Sequence, residues 1–562
     1  MHPDIVGEKP DTIKRIFMNQ RVSGMVDRQE NESGTPLALK NLANETFAYL
    51  HGCFPVCCES DEFYYFPQIA PENPDWSLWD DFSPDRVQDV ERRLSRFEAD
   101  LSALAGSAGD PDALIDLEIL KRTSKTLREQ LTEIRFQKDQ PTFYLTVACV
   151  GLAAALEVPE PVAWERRVAG IPLFLLKAKG SLEKCPILFR DLGIEMARDT
   201  FAWLKSLAKE KPGIREALSA LEDFEDFLRN MPTRSSFLFP REPAELIVKD
   251  HIGCGTGISE VRLAIEAEIA ETTGIMVEQA KRIFPGGSWA NAIQNITPPV
   301  IPVGGPTELY QREIEQLLGH CLQLGIVSPA FARKYPVRVA LVPSYLTTVR
   351  AASSYSFTPS DPSPGGTFFI VPRGGSWNND REDLVDYRML TAHETYPGHH
   401  LLDATRWHND RPLRRPIEMP LFYEGWACFA EELMRQTGYF SKPEDLLLLA
   451  KRRYRRALRG LVDLDLQTGK MDIESAASFL VGKGFNKSSA LAAVPKYALR
   501  PGYQVCYTFG LRRFLELYGL YGAKSPRKFS QEVLAQGEIS FDHLEKILKE
   551  SMPIEGKRNG ST

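Results

Sequence analysis

A proline four residues after a histidine constrains this chain more than any other feature. The run is His393-Glu394-Thr395-Tyr396-Pro397-Gly398-His399-His400, and it holds three of the nine histidines. Proline has no N–H to give the His393 carbonyl, and its ring clashes with that carbonyl in a regular helix. A helix entering at His393 must therefore open at this turn, where Gly398 tolerates the distortion. Looping out about two residues brings His399 to the place a fourth helical residue would occupy. A regular helix would instead put His400 on the His393 face, about 10.5 Å along. His399 is the favoured partner of His393, and His400 is the alternative.

Two imidazoles on one face with a glutamate beside the first are the parts of a hydrolytic zinc site, the glutamate serving as general base. Such a site takes three protein ligands and leaves a position for water. The third ligand is expected from the next helix. Glu424, in Tyr423-Glu424-Gly425-Trp426-Ala427, follows His399 after Pro412, Pro416 and Pro420, enough chain for a turn and an antiparallel return. Small Gly425 and Ala427 are expected to let that helix approach the first closely. Glu418 lies in the proline-flanked connector, and Glu431 and Glu432 lie about two turns further along. One of the latter pair is a candidate for orienting a ligand from behind.

The rest of the composition excludes other classes. With 68 basic and 75 acidic residues the formal charge is −7, which argues against a protein that coats nucleic acid or an anionic membrane. Nine cysteines without repeating spacing do not read as a disulfide framework and fit a reducing compartment. Cys53, Cys57 and Cys58 read as buried small apolar side chains. Met1-His2-Pro3-Asp4 opens no charged and then apolar leader. The longest apolar run, Phe143 to Leu156, is too short to span a bilayer. The expectation is a soluble, cytoplasmic protein.

Along the chain, Val87, Val90, Leu94, Phe97, Leu101 and Leu104 recur at steps of three and four, a one-faced helix. Similar patterns run through 114–134, 143–156, 173–182, 191–207 and 214–228. The first 230 or so residues thus read as stacked amphipathic helices. Gly253-Cys254-Gly255-Thr256-Gly257 matches no phosphate-binding fingerprint and reads as a tight turn into a helix from about Ser259 to Thr272. Strand signals gather at 337–342, 355–358 and 367–371. The basic run Lys451 to Arg456 reads as a solvated helix face. The expected division is an N-terminal helical lobe at 1–245 and a catalytic lobe at 246–562, joined as one compact unit, with a frayed tail from Glu555.

His-Glu-x-x-Pro-Gly-His followed by Glu-Gly-Trp-Ala resembles the zincin-like family known as domain of unknown function 885. That family is distantly similar to the angiotensin-converting-enzyme and thermostable-carboxypeptidase groups of gluzincins. The resemblance is specific over roughly 340–520, and its motif carries two extra residues relative to the peptidase groups. It implies a mainly α, large helical gluzincin fold with a small β-sheet beside a deep active-site cleft. It also implies His393, His399 and Glu424 as ligands of one zinc ion per chain, with Glu394 as the base. Because related gluzincins use a tyrosine from a late helix to stabilise the oxyanion, Tyr507 is the first candidate for that role and Tyr503 the second.

Arg500 is a candidate for binding a substrate carboxylate, or else closes a structural ion pair. The strand at 367–371, with Phe369 at its centre, is a candidate for pairing with an extended peptide. The expected activity is a zinc-dependent metallopeptidase cleaving short peptides with a metal-activated water. A zinc amidase or esterase on a non-peptide metabolite and a non-catalytic metal-dependent binding protein are the alternatives. Neither nucleic acid nor membrane is expected as a partner.

Overall fold

In the computed structural model of the chain, residues 36–106, 110–209, 211–343, 352–357, 365–371 and 384–553 are described. They form a mainly helical protein with two small sheets. Prolines start many of its helices, at Pro84, Pro111, Pro141, Pro306, Pro420 and Pro443. At that position the missing N–H costs nothing and the fixed φ already suits the helix.

The predicted N-terminal helices form where the periodicity places them. Helix Pro84–Ala105 buries Val90, Leu94, Phe97 and Leu101 along one stripe. Helix Pro141–Glu157 is buried on most sides, as its apolar run requires. The helix after the glycine turn runs to Ile283 rather than Thr272. The expected frayed tail lies outside the described residues, as do the first 35 residues.

Two apolar cores result. One is built from residues between Leu50 and Met231. The other surrounds the histidine motif and continues to Met552, yet it also takes in Leu39, Phe47, Phe97, Leu101 and Leu120 from the N-terminal helices. The N-terminal segment is therefore part of the packing that supports the motif.

Six helices and one sheet frame that motif. The helices are α1 (Ile258–Ile283), α2 (Tyr387–Glu394), α3 (His399–His408), α4 (Pro420–Gln436), α5 (Pro443–Gln467) and α6 (Val505–Leu517). The strands are β1 (Val337–Leu341), β2 (Ser354–Phe357) and β3 (Gly366–Ile370). Helix α1 packs along α5, and α4 packs along α6 and α2.

The sheet order is β1-β3-β2, with β1 parallel and β2 antiparallel to β3. Val339 and Tyr355 flank Phe368 from the two sides. This corrects one expectation. The strand at 367–371 is the central one, so its hydrogen-bonding edges are taken and no peptide can add to it. Phe368 is fully buried and Phe369, on the other face, is half-buried.

Candidate metal centre

Helix α2 ends at Glu394, and a new helix starts at His399. The break falls where Pro397 demands it. Its closure depends on Gly398, because a Cβ there would run into the carbonyl oxygens of Ala392 and His393. Trp426 of α4 donates its indole N–H to the Pro397 carbonyl at 2.9 Å, which pins the break from the neighbouring helix. The fold thus turns α3 so that the His393 and His399 rings lie 4.8 Å apart, at 82°.

Glu424 comes in from α4, as expected. One ligand atom each from His393, His399 and Glu424 lies within 4.8 Å of the others, and all three residues are buried. Glu424 Oε2 is 3.6 Å from Nε2 of both histidines. That distance is too long for a hydrogen bond, and Oε2 has no hydrogen-bond partner. Three lone-pair atoms thus face a common point, and the orphaned carboxylate oxygen is what a bound cation would satisfy. Two imidazoles and a carboxylate suit zinc.

His400, the alternative ligand, points elsewhere. Its Nδ1 lies 2.8 Å from the Tyr355 hydroxyl on β2, and its Nε2 lies 3.0 Å from the Tyr335 carbonyl. Burial pulls its pKa down to about 4, so it stays neutral and ties α3 to the sheet. This corrects the alternative: once the helix opens, successive residues His399 and His400 project to different sides.

The two candidate ligands are oriented differently. His393 Nδ1 lies 3.1 Å from Glu431 Oε1, one α4 turn pair beyond Glu424, and 3.2 Å from Arg456 Nη2. The Glu431 carboxylate can only accept and arginine can only donate, so Nδ1 cannot hydrogen-bond both; with its proton given to Glu431, the closer of the two, Nε2 is left free as an acceptor. Glu431 in turn takes a two-pronged contact from Arg452, at 3.0 and 3.2 Å, and one from Arg456 at 2.6 Å. His399 is held instead by its ring, stacked on Tyr423 at 4.1 Å, whose hydroxyl donates to Asp403.

The basic run is therefore not a solvated face, which overturns that reading. Besides Arg452 and Arg456, Arg453 is buried among Glu268, Glu432 and Glu271, at 2.7, 3.0 and 2.9 Å. Helix α5 lies between α1 and α4, and both present carboxylates to it. The available signal was Glu431-Glu432 inside the apolar stretch Phe429 to Met434, since buried carboxylates need cations. Gly425, expected to face the first helix, does not. It faces α6, where an added Cβ would come 2.7 Å from Gly510 Cα, and so permits the α4–α6 crossing.

Electrostatics follow from this packing. Burial raises the Glu424 carboxyl, but His393 and His399 outweigh it and hold it well below the ordinary value. Burial and Arg456 favour a neutral His393, yet contacts with Cys428, Glu424 and Glu431 carry it well above. Glu394 is buried beside the cluster, and burial raises its pKa against the pull of His393 and His399.

Tyr503, in the turn before α6, donates to Glu424 Oε1 at 2.8 Å. Tyr507 lies in the first turn of α6, its ring 6.0 Å from that of Tyr503 and 4.8 Å from the Arg459 guanidinium. Burial, then the Glu424 charge, push both phenols well above the ordinary tyrosine value, so both keep their protons. Arg500 pairs with Glu62. Sequence reasoning missed the segment around that glutamate: Tyr64 packs its ring 5.2 Å from Tyr503, and Gln68 donates to Glu418 at 2.8 Å.

A family described as bacterial protein of unknown function, DUF885, matches residues 72–548. The chain belongs to this family. Two solved structures share the DUF885 member's fold. One is described as "the putative lipoprotein from Colwellia psychrerythraea", 15% identical over 92% of this chain and 99% of that one, with a TM-score of 0.71. The other is a "putative lipoprotein of unknown function" from Shewanella oneidensis, 16% identical over 91% and 99%, with a TM-score of 0.73. At such identities the likeness speaks for the fold alone. No curated protein matches the chain.

Proposed function

We propose that this chain is a zinc-dependent hydrolase of the gluzincin kind, acting as a metallopeptidase on short peptides. One observation carries the reading: ligand atoms of His393, His399 and Glu424 converge within 4.8 Å, with Glu424 Oε2 unpartnered. A zinc ion in that position would polarise a scissile carbonyl and lower the pKa of an attacking water.

The chain's own residues supply the remaining chemistry. Glu394, the residue after His393, takes the proton of the attacking water at its carboxylate and returns it to the leaving amine. Burial favours its neutral form, which suits a base that must hold a proton between the two steps. Glu431 keeps the His393 proton on Nδ1. Tyr503 and Tyr507, both held protonated, are the hydroxyls available to an oxyanion. Both phenols meet the Glu424 carboxylate, Tyr503 by a 2.8 Å hydrogen bond, and Tyr507 is the first candidate to turn from it toward an oxyanion.

All nine cysteines are unpaired and eight are buried, so the fold described here uses no disulfide. No described helix is long and apolar enough to cross a membrane.

The test is Glu394→Gln. Zinc-loaded parent protein is incubated with a mixed peptide library and cleavage is followed by mass spectrometry. The variant should keep the metal and lose about 100-fold or more of the cleavage rate. Equal cleavage by parent and variant would remove Glu394 from the mechanism.

A further inference from the structure

The Tyr503–Glu424 contact needs an explanation, because Tyr503 sits on a turn and not on a helix. The turn joins helix Lys487–Leu499 to α6. It is tight: Gly502 has φ +79°, and a Cβ there would press on Ile252. A hydroxyl at the end of such a segment holds a 2.8 Å contact only if the backbone beneath it is fixed.

Asp463 of α5 supplies that fixing. Gly502 N–H donates to its Oδ1 at 3.1 Å, and Gln504 N–H donates to its Oδ2 at 3.0 Å. The two donors are the residues on either side of Tyr503. Asp463 is fully buried and makes no ion pair among the described residues. A carboxylate is costly to bury without a cation, whereas serine or asparagine would satisfy only one of the two N–H groups. Two oxygens on one short side chain, one within reach of each N–H, are what this turn requires. Tyr64 then backs the Tyr503 ring from the N-terminal segment.

We infer that Asp463 is a positioning residue of the metal centre: by holding the backbone on both sides of Tyr503, it sets the phenol on Glu424 Oε1 and so aims Oε2 at the ligand point. The inference rests on the metal reading of His393, His399 and Glu424. Asp463 touches neither ligand nor substrate and acts through Tyr503.

The experiment measures zinc affinity of the full chain by competition with a chromophoric chelator, together with the visible absorption of the cobalt(II)-loaded protein. It compares the parent, Asp463→Asn, Tyr503→Phe and the double variant, with thermal unfolding of each in chelator. Tyr503→Phe should bind zinc about tenfold more weakly. Asp463→Asn should show a similar loss and the same cobalt band shift, and the double variant should bind no worse than Tyr503→Phe alone. Losses that multiply in the double variant, or an Asp463→Asn protein that binds like the parent, would overturn the inference while leaving the metal site standing. A parent that binds neither metal would overturn the metal reading and this inference with it. Should Asp463→Asn fail to fold, Asp463→Glu, which keeps both acceptors one methylene further out, is read by the same criteria.

Discussion

Replacing Glu431 by glutamine probes how much of the centre is set from behind the ligands. Glu431 has no solvent exposure, and its two oxygens receive three contacts from Arg452 and Arg456 and one from His393 Nδ1. The amide removes the charge from a buried pair and leaves two guanidinium groups beside an imidazole. Breaking such a pair from one side costs about 3–5 kcal/mol. Because glutamine keeps one acceptor oxygen, the lower end, about 3 kcal/mol, is expected. His393 also loses the carboxylate that fixes its tautomer, which lowers metal affinity about 10- to 100-fold. Zinc competition and denaturant unfolding of the metal-free protein read the two effects separately. An affinity within about twofold of the parent would refute the argument that Glu431 orients His393.

Three further outcomes follow from particular contacts. Gly398→Ala should abolish metal binding, because its Cβ would meet the Ala392 and His393 carbonyls and reopen the helix break; equilibrium dialysis with zinc checks it. His400→Phe should keep full metal stoichiometry but lose about 1–3 kcal/mol of stability, since Tyr335 and Tyr355 lose a buried partner; loss of metal would restore His400 as a ligand. Burial raises the Asp463 carboxyl from 3.8 to about 7, so the folded state keeps a proton that the unfolded chain loses. Stability from this group is fully present below pH 3.8 and falls as pH rises toward 7. The stability gap between parent and Asp463→Asn should therefore shrink by about 3 kcal/mol between pH 5 and 8. A gap that widens with pH would contradict it.

Much of the centre was legible because it is local in sequence. Pro397 and Gly398 dictate a helix break, and the break favours His399 over His400, though only the contacts with Tyr335 and Tyr355 show that the His400 ring points elsewhere. The N-terminal helices were legible for the same reason, as Val90, Leu94, Phe97 and Leu101 already share a face. What could not be read depends on which helix lies opposite. Arg452, Arg453 and Arg456 look solvent-facing until α1 and α4 are known to bring Glu268, Glu431 and Glu432 against them. Gly425 serves a helix 85 residues further on, at Gly510. The strand around Phe369 had the right pattern, but pattern does not say whether a strand is central or at an edge. Tyr64 backs Tyr503 and Gln68 holds Glu418 from some 350 residues or more earlier in the chain, and no spacing rule connects them to the metal centre.

The most direct test of the whole account is metal content, by inductively coupled plasma mass spectrometry on protein purified without added metal and then reconstituted. The parent should carry about one zinc per chain, and His393→Ala, His399→Ala and Glu424→Ala should each carry almost none. A parent that takes up no metal after reconstitution, or variants that retain it, would contradict the assignment of these three residues as a metal centre.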